Sequence, residues 1–170
     1  MSIGSAILCF IVAQRFAELA LAARNTRQLR RLGAVEIDTG GYPWFIALHA
    51  SWLASLALIL PGARVWSWAL LGLFAALQLG RLWVIGTLGR RWTTRIIVLP
   101  GEMLVARGPY RYVRHPNYLV VAAEIAALPL AFGAVALAGI FSAANLALIA
   151  RRIAIEDRAL ATAQPALDPR

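Results

Sequence analysis

The sequence is poor in the residues from which metal sites and disulfide frameworks are built. It contains one cysteine, Cys9, and two histidines, and it has no HExxH or CxxC motif. A single cysteine cannot form an internal disulfide, and Cys9 lies in an apolar run, so a buried and inert thiol is expected there. Without a ligand cluster at useful spacing, we predict no metal site.

Charged residues are also scarce, and most of them have the same sign. Only 15% of the residues are charged against 61% hydrophobic, and the net charge of +9 is carried by 17 arginines, since the sequence has no lysine. Soluble domains are about half apolar and about a quarter charged, so the composition favours a membrane protein. The arginines fall between apolar runs rather than on one solvated face. They therefore predict membrane topology and no nucleic-acid partner.

Apolar segments at about residues 3–23, 43–60, 65–88, 117–130 and 133–150 predict five membrane-spanning helices. The first segment lacks a basic n-region, so a retained helix is expected rather than a cleaved signal peptide. The fourth is short for a span of roughly 20 residues, which favours a tilt or a start below the membrane surface. Pro129 and Gly133 mark a tight bend, so the last two helices should form a hairpin. The predicted fold is an all-α integral membrane protein with a single domain, 1–170.

The arginines also predict the orientation of these spans. Segments 24–42 and 89–116 and the C-terminal tail hold most of them, and with five spans all three regions lie on one side, which we name the arginine-rich side. The opposite side has only Arg64. By the positive-inside rule, the N-terminus lies outside and the arginine-rich side faces the cytoplasm.

Ionisable side chains interrupt the predicted spans. Arg15 and Glu18 are three residues apart on the first helix and can pair, while Arg81 and Glu124 lie in the third and fourth. Such groups are costly at membrane depth and face a bundle interior or a wet cavity. Ion pairs that hold the helices together and the lining of a polar pocket are both open interpretations. His49, in the second span, is expected to be a hydrogen-bonded packing residue rather than a ligand.

The stretch "GPYRYVRHPNYL", residues 108–119, is polar and basic within an otherwise apolar chain. Gly108-Pro109 predicts a turn, and His115 should be extended because it precedes a proline. Pro116 then suits the first position of the fourth helix. An extended strap that leads into a helix N-terminus can hold an anion, and its tyrosine rings can contact a base or a sulfonium cation. An interfacial tyrosine–arginine anchor is the equally open alternative.

A second polar cluster, "RRIAIEDRAL", occupies residues 151–160 at the end of the fifth segment. Arg152 and Glu156 are four apart, so they lie on one helix face. A basic helix end with a surface ion pair is the alternative interpretation. In the five-span topology, however, this cluster returns to the same side as the first, which favours a site.

These two motifs, with the hairpin between them, resemble the isoprenylcysteine carboxyl methyltransferase family over roughly residues 81–160. The segment "RNTRQLRRLGAVEIDTGGYP" is similar to a bacterial branch of that family. Some members of that branch occur with type III polyketide synthases and O-methylate alkylpyrones or phenolic lipids. The resemblance implies an S-adenosylmethionine-dependent O-methyltransferase of the bacterial inner membrane. It implies a lipophilic acceptor drawn from the membrane and a cytoplasm-facing cofactor pocket.

The apolar segments give three spans with a basic loop (1–88), the last ten residues are expected to be a frayed tail (161–170), and the resemblance makes residues 89–160 the methyltransferase core. The resemblance also implies roles for individual residues. Arg152 would face the reacting oxygen of the acceptor. In the eukaryotic enzymes the position of Glu102 is often histidine, and the preceding "LGRRWTTRIIVLP" differs from their polar segment. The residues implied to contact the cofactor are Glu102, Met103, Leu104, Val105, Tyr110, His115, Pro116, Asn117, Tyr118 and Glu156.

Two other functions remain open at this point. Sterol reductases carry a similar RHPNY-type end and use NADPH, although they are much larger. A small, non-enzymatic membrane subunit that binds lipid is the second alternative. In that case the arginines would set only the topology.

Overall fold

A computed structural model describes residues 2–101 and 105–163, with side chains as far as Ala159. Within these ranges the chain forms five α-helices and one pair of short antiparallel strands. The elements in chain order are α1 (Ile3–Arg31), β1 (Val35–Glu36), α2 (Tyr42–Ile59), α3 (Trp68–Leu88), β2 (Ile97–Val98), α4 (Pro116–Ala131) and α5 (Val135–Ala163). Short 3₁₀ turns at Leu60–Gly62, Gly89–Arg91 and Gly108–Arg111 connect them.

The architecture confirms the predicted all-α integral membrane fold. Among the described residues, four helices (α1, α2, α3 and α5) are long and apolar enough to cross a membrane, and α4 is a shorter apolar helix of 16 residues. The predicted hairpin is formed by α4 and α5. Gly133 has a φ of +75° at the bend, where the Ala134 N–H donates to the Pro129 carbonyl over 2.9 Å. This left-handed conformation favours glycine.

Three details differ from the sequence-based expectation. Residues 24–31 of the predicted loop are helical, since α1 continues through all four arginines of that loop and ends at Arg31. Gly33, which has a left-handed backbone conformation, follows two residues later, as is common after the end of a helix. The predicted tail 161–170 begins as helix as well, since α5 runs to Ala163; residues 164–170 lie outside the described ranges. The expectation of a buried Cys9 is wrong, because this thiol is exposed on α1.

An apolar core holds the helices together on the side away from the arginines. Trp52, Leu56 and Leu60 from the α2 region pack with Ile125 and Leu128 of α4, and all five are almost completely buried. At the start of α1, a Cβ on Gly4 would lie 2.0 Å from the Leu60 carbonyl oxygen. Only glycine permits this close approach of the two backbones.

A buried ion cluster of Arg15, Glu18, Arg81 and Glu124 connects α1, α3 and α4 in the middle of the bundle. Arg15 binds Glu18 at 2.6 Å and Glu124 at 2.9 Å, while Arg81 binds Glu124 and, at 3.2 Å, Glu18. The Gln78 amide also donates to Glu124. Each arginine contacts both carboxylates, so the four charges balance. The predicted ion pairs that hold the helices together are therefore present.

The arginine-rich side is ordered by contacts between the α1 end and the segment after α3. Asn25 donates to the carbonyls of Gly89 and Trp92, at 3.1 and 2.8 Å. Glu36 on β1 accepts hydrogen bonds from Arg30 and Arg95. Burial alone would raise the pKa of Glu36, but these two guanidinium groups outweigh it and hold the pKa below its usual value. The segment around Thr94 is thereby fixed against the helix bundle.

Candidate active site

The "GPYRYVRHPNYL" motif forms a 3₁₀ turn followed by the start of α4. Gly108 has a φ of +58°, and a Cβ there would lie 2.5 Å from the Thr87 hydroxyl, so the position requires glycine. His115 is non-helical, with φ −126° and ψ 62°, and Pro116 occupies the first turn of α4 as predicted. The strap is not extended throughout, because residues 108–111 turn tightly before it.

The two polar clusters meet at Tyr118, as the topology predicted. The Tyr118 hydroxyl donates to the Glu156 carboxylate at 2.6 Å and accepts from Arg152 Nε at 2.9 Å. The His115 ring stacks on the Tyr118 ring at 5.4 Å, with an interplanar angle of 19°. We name these four residues, His115, Tyr118, Arg152 and Glu156, the Tyr118 cluster. Its members come from the start of α4 and the end of α5, so the hairpin brings them together.

Arg152 is held in place by groups that sequence reasoning did not identify. Its Nη2 group donates to the Thr94 carbonyl at 2.7 Å, and its guanidinium lies 5.1 Å from the centre of the Phe45 ring. With Nε bound to Tyr118, only Nη1 has no hydrogen bond to the part of the chain that the structure describes. Neither partner could have been found from sequence, since one is a backbone carbonyl and the other an ordinary aromatic residue of an apolar helix.

Asp157 is a further residue close to the predicted site. His115 Nε2 lies 3.3 Å from an Asp157 carboxylate oxygen, and His115 Nδ1 lies 3.6 Å from Glu156. Arg114 also lies 3.6 Å from Asp157. The adjacent acidic pair Glu156-Asp157 in the sequence was the signal for this residue. Both carboxylates therefore face the imidazole.

A cavity of about 630 Å³ connects the Tyr118 cluster with the centre of the bundle. At one end it is lined by the whole Tyr118 cluster together with Val105, Tyr110 and Asn117. At the other end it is lined by Arg15, Glu18, His49 and Arg81, and apolar residues such as Leu53 and Val121 complete its wall. Both interpretations of the buried charges therefore hold in part: all four join helices, and Arg15, Glu18 and Arg81 also line the cavity. His49 is hydrogen-bonded to the Phe45 carbonyl at 2.9 Å, as expected of a packing residue, and it also lines the cavity.

The predicted cofactor residues occupy three kinds of position. Pro116 is buried and shapes the start of α4. The predicted cofactor residues that line the cavity are Val105, Tyr110, His115, Asn117, Tyr118 and Glu156. Glu102, Met103 and Leu104 lie outside the described residues.

Two groups in the cavity wall suit a polar ligand. Burial and the nearby Glu156 carboxylate raise the pKa of Tyr110 to about 12, so its phenol is a neutral donor at physiological pH. The Asn117 side-chain oxygen is buried and accepts no hydrogen bond from the described residues. A buried acceptor without a partner is costly, and a ligand N–H would satisfy it.

This combination fits the chemistry of S-adenosylmethionine. The carboxylates of Glu156 and Asp157 suit ribose hydroxyls and an ammonium group, and the Asn117 oxygen suits an amino group of adenine. The rings of Tyr118 and His115 suit a planar base or a sulfonium cation. The cavity volume is within the range of small-molecule sites, about 300–1,000 Å³.

The fold and this cavity define a small helical membrane protein with a polar site at one end of an amphipathic pocket. Residues 70–162, more than half of the chain, match the isoprenylcysteine carboxyl methyltransferase (ICMT) family. The chain belongs to this family and is a membrane methyltransferase. The matched region covers most of α3, nearly all of the hairpin and every residue of the Tyr118 cluster.

Comparison with curated proteins gives a relative of similar length. The chain is 35% identical over 158 residues to "Uncharacterized protein YpbQ" of Bacillus subtilis (strain 168), with 91% of this chain and 94% of that protein covered. No solved structure matches the chain significantly. The resemblance to alkylpyrone and phenolic-lipid methyltransferases stays a prediction.

Proposed function

We propose that the protein transfers a methyl group from S-adenosylmethionine to an oxygen of a lipophilic acceptor within the membrane. The observation that carries this proposal is the Tyr118 hydroxyl, which joins Arg152 to Glu156 at the wall of the cavity. Glu156, which suits a cationic cofactor, and Arg152, which suits an anionic or oxygen-bearing acceptor, are thereby fixed side by side. Family membership supports the same chemistry.

The cofactor belongs at the end of the cavity lined by His115, Asn117, Tyr118 and Glu156. When bound, it supplies a methyl group that its sulfonium centre already activates. The protein therefore has to orient the partners and exclude water. Glu156 is oriented for this purpose by Tyr118, and His115 is held by stacking and by Asp157. Tyr110 and Val105 complete the wall, and the role of Glu102 to Leu104 in it stays a prediction.

Arg152 orients the acceptor oxygen. Its Nε and Nη2 groups are already used by Tyr118 and Thr94, so the guanidinium has a fixed direction at the cavity wall, and Nη1 is left to bind the acceptor. A carboxylate acceptor needs no base and would be positioned by charge-assisted hydrogen bonds. For a phenol or enol acceptor, the same guanidinium would lower the pKa of the hydroxyl, so that its proton passes to water and the resulting oxyanion accepts the methyl group. Both acceptor classes fit the contacts of Arg152.

The acceptor tail belongs between the two ends of the cavity, along the apolar face of α2. Phe45, Ile46, Ala50 and Leu53 line the cavity from that helix. The spacing of these positions places them on one helix face. With the arginine-rich side in the cytoplasm, the cofactor enters from water and the acceptor from the bilayer.

The test uses purified full-length protein in detergent. S-adenosylmethionine and its demethylated product should each raise the melting temperature, because a ligand that binds only the folded state stabilises it. Radiolabelled cofactor incubated with membrane lipid extract should then label an extractable lipid. Stabilisation by NADPH alone would instead indicate a reductase, and no response to either cofactor would indicate a non-enzymatic lipid-binding protein.

A further inference from the structure

A second groove lies on the arginine-rich side, beside the main cavity. It has a volume of about 370 Å³, and α1, the start of α2 and the segment after α3 form its walls. The lining residues are Leu19, Ala23, Thr26, Arg27, Arg30, Tyr42, Thr94 and Arg95. Neither the family match nor the proposed methyl transfer assigns a ligand to it.

One face of α1 gives this groove an apolar part and a basic part. Leu19, Ala23, Arg27 and Arg30 recur at helical spacing, so they line the groove one above another. Leu19 and Ala23 are exposed and lie towards the middle of the span, while the two arginines lie towards its end. A lipid acyl chain matches the first pair and a lipid headgroup matches the second.

The charges around the groove favour an anion. Three arginines, Arg27, Arg30 and Arg95, line it, and Glu36 pairs with the last two of them. Arg27 donates only to the Ala23 carbonyl, through Nε at 3.3 Å, and forms no ion pair with a described residue. Positive charge therefore exceeds negative charge at the groove.

The position of the groove along the bundle is that of a membrane interface. Tyr42 lines it at the first residue of α2, and Trp44, two residues further on, is 67% exposed. Tryptophan and tyrosine are enriched where a bilayer meets water. Basic pockets between membrane helices at this depth are the kind that bind lipid headgroups.

The groove shares a wall with the main cavity. Leu19, Tyr42, Thr94 and Arg95 line both. In this wall the Arg95 guanidinium lies 4.3 Å from the centre of the Tyr42 ring, and the Tyr42 and Thr94 hydroxyls are 3.0 Å apart. An occupant of the groove would thus contact the segment whose Thr94 carbonyl anchors Arg152.

We propose that this groove binds an anionic phospholipid of the surrounding bilayer. Its phosphate is held by Arg27, with Arg30 and Arg95 beside it, and one acyl chain lies along Ala23 and Leu19. The site is separate from the cofactor pocket, so it does not depend on the proposed methyl transfer.

The test compares two phospholipids with identical acyl chains added to the full-length protein in neutral detergent. Phosphatidylglycerol should raise the melting temperature more than phosphatidylcholine does, and native mass spectrometry should show it retained on the protein. Arg27→Gln should abolish this difference. Arg111→Gln removes an exposed arginine from the same side but outside the groove, and it should preserve the difference.

Two further measurements identify the source of the anion and the role of the lipid acyl chain. Glycerol phosphate, which has the headgroup chemistry without the tails, should not reproduce the stabilisation; if it does, a soluble anion rather than a lipid binds. Ala23→Phe, which fills the apolar part, should weaken lipid retention. Equal stabilisation by both lipids, or equal losses in the Arg27 and Arg111 variants, would overturn the proposal. Neither result would alter the response to S-adenosylmethionine, which tests the methyl transfer separately.

Discussion

The two ends of the main cavity are both polar, yet they are built differently. In the buried ion cluster, two arginines and two glutamates contact one another; the side chains of Arg81 and Glu124 are at most 3% exposed, and that of Arg15 is 17% exposed. In the Tyr118 cluster, the Glu156 side chain is 30% exposed, and Arg152 lines the cavity with an Nη1 group that has no hydrogen bond to a described residue. The nearby Asn117 side-chain oxygen is buried without a partner among the described residues. Every charge of the ion cluster is in contact with an opposite charge, although Arg15 Nε is buried without a hydrogen-bond partner among the described residues. Charges paired in this way hold the helices together, whereas the partly exposed groups of the Tyr118 cluster can bind a ligand.

The largest expected effect is on stability and comes from the buried ion cluster. Glu124→Ala leaves Arg15 and Arg81 with one carboxylate between them, deep in the bundle. Loss of one partner from a buried pair costs about 3–5 kcal/mol. Denaturant unfolding in detergent should show a decrease of this size.

The matched control is Glu156→Ala, the same substitution in the Tyr118 cluster. Because Glu156 is partly exposed and loses a hydrogen bond to Tyr118 rather than a buried ion pair, the loss of stability there should be smaller, about 1.5–3 kcal/mol. Equal losses at the two positions would show that the Tyr118 cluster is also a structural element, and the comparison between the two ends would fail.

The next effect is on catalysis and concerns Arg152. Arg152→Ala removes the group proposed to orient the acceptor oxygen, and loss of such a donor lowers kcat by about 10²–10³-fold. Cofactor affinity, measured by calorimetry, should remain within a few-fold, because Glu156 and His115 are retained. Arg151→Ala is the control, since Arg151 points to Asp38 instead. Normal turnover in Arg152→Ala would remove this residue from the chemistry.

A smaller effect is expected for the hydroxyl that joins the two halves of the site. Tyr118→Phe keeps the ring stacked on His115 but removes hydrogen bonds to two charged side chains. Hydrogen bonds to charged groups contribute about 1.5–3 kcal/mol, so cofactor affinity should fall by about tenfold or more.

Tyr112→Phe is the appropriate control for that change. Tyr112 belongs to the same motif but is 74% exposed, so its hydroxyl should matter little. Calorimetric titration with S-adenosylmethionine measures both variants. Equal affinity in Tyr118→Phe and the wild type would mean that Glu156 needs no orientation by Tyr118.

The sequence predicted the helices and the meeting of the two motifs better than it predicted the contacts of individual side chains. Hydropathy and arginine placement predicted five helices and the side on which the two motifs meet, because each signal is local in the chain. The pairing of Arg15 with Glu18 was also predictable from their spacing. The partner of Arg81 was not predictable, because it depends on how three helices pack. In the structure Arg81 contacts both Glu18 and Glu124.

The contacts of Arg152 show the same limit at the candidate site. Its position relative to Glu156 follows from helical spacing. Its anchor on the Thr94 carbonyl depends on where the segment after α3 folds back, and that is decided by Asn25, Glu36 and Arg95. Side chains that bind backbone groups far along the chain leave no pattern in the sequence.

The smallest effect concerns pH and the Glu36 carboxylate, which helps to hold that segment. Its pKa is lower in the folded protein than in the unfolded chain, because Arg95 and Arg30 favour the charged form. The stabilisation that the charged Glu36 gives to the folded protein is therefore complete above the pKa of an unfolded glutamate, about 4.3. It is lost as pH falls through the pKa of Glu36 in the folded protein. Glu36→Gln should remove this part of the acid dependence of unfolding and leave the profile at neutral pH flat. If the variant and the wild type lose stability in parallel below this pH, the ion pairs of Glu36 do not hold the segment that anchors Arg152.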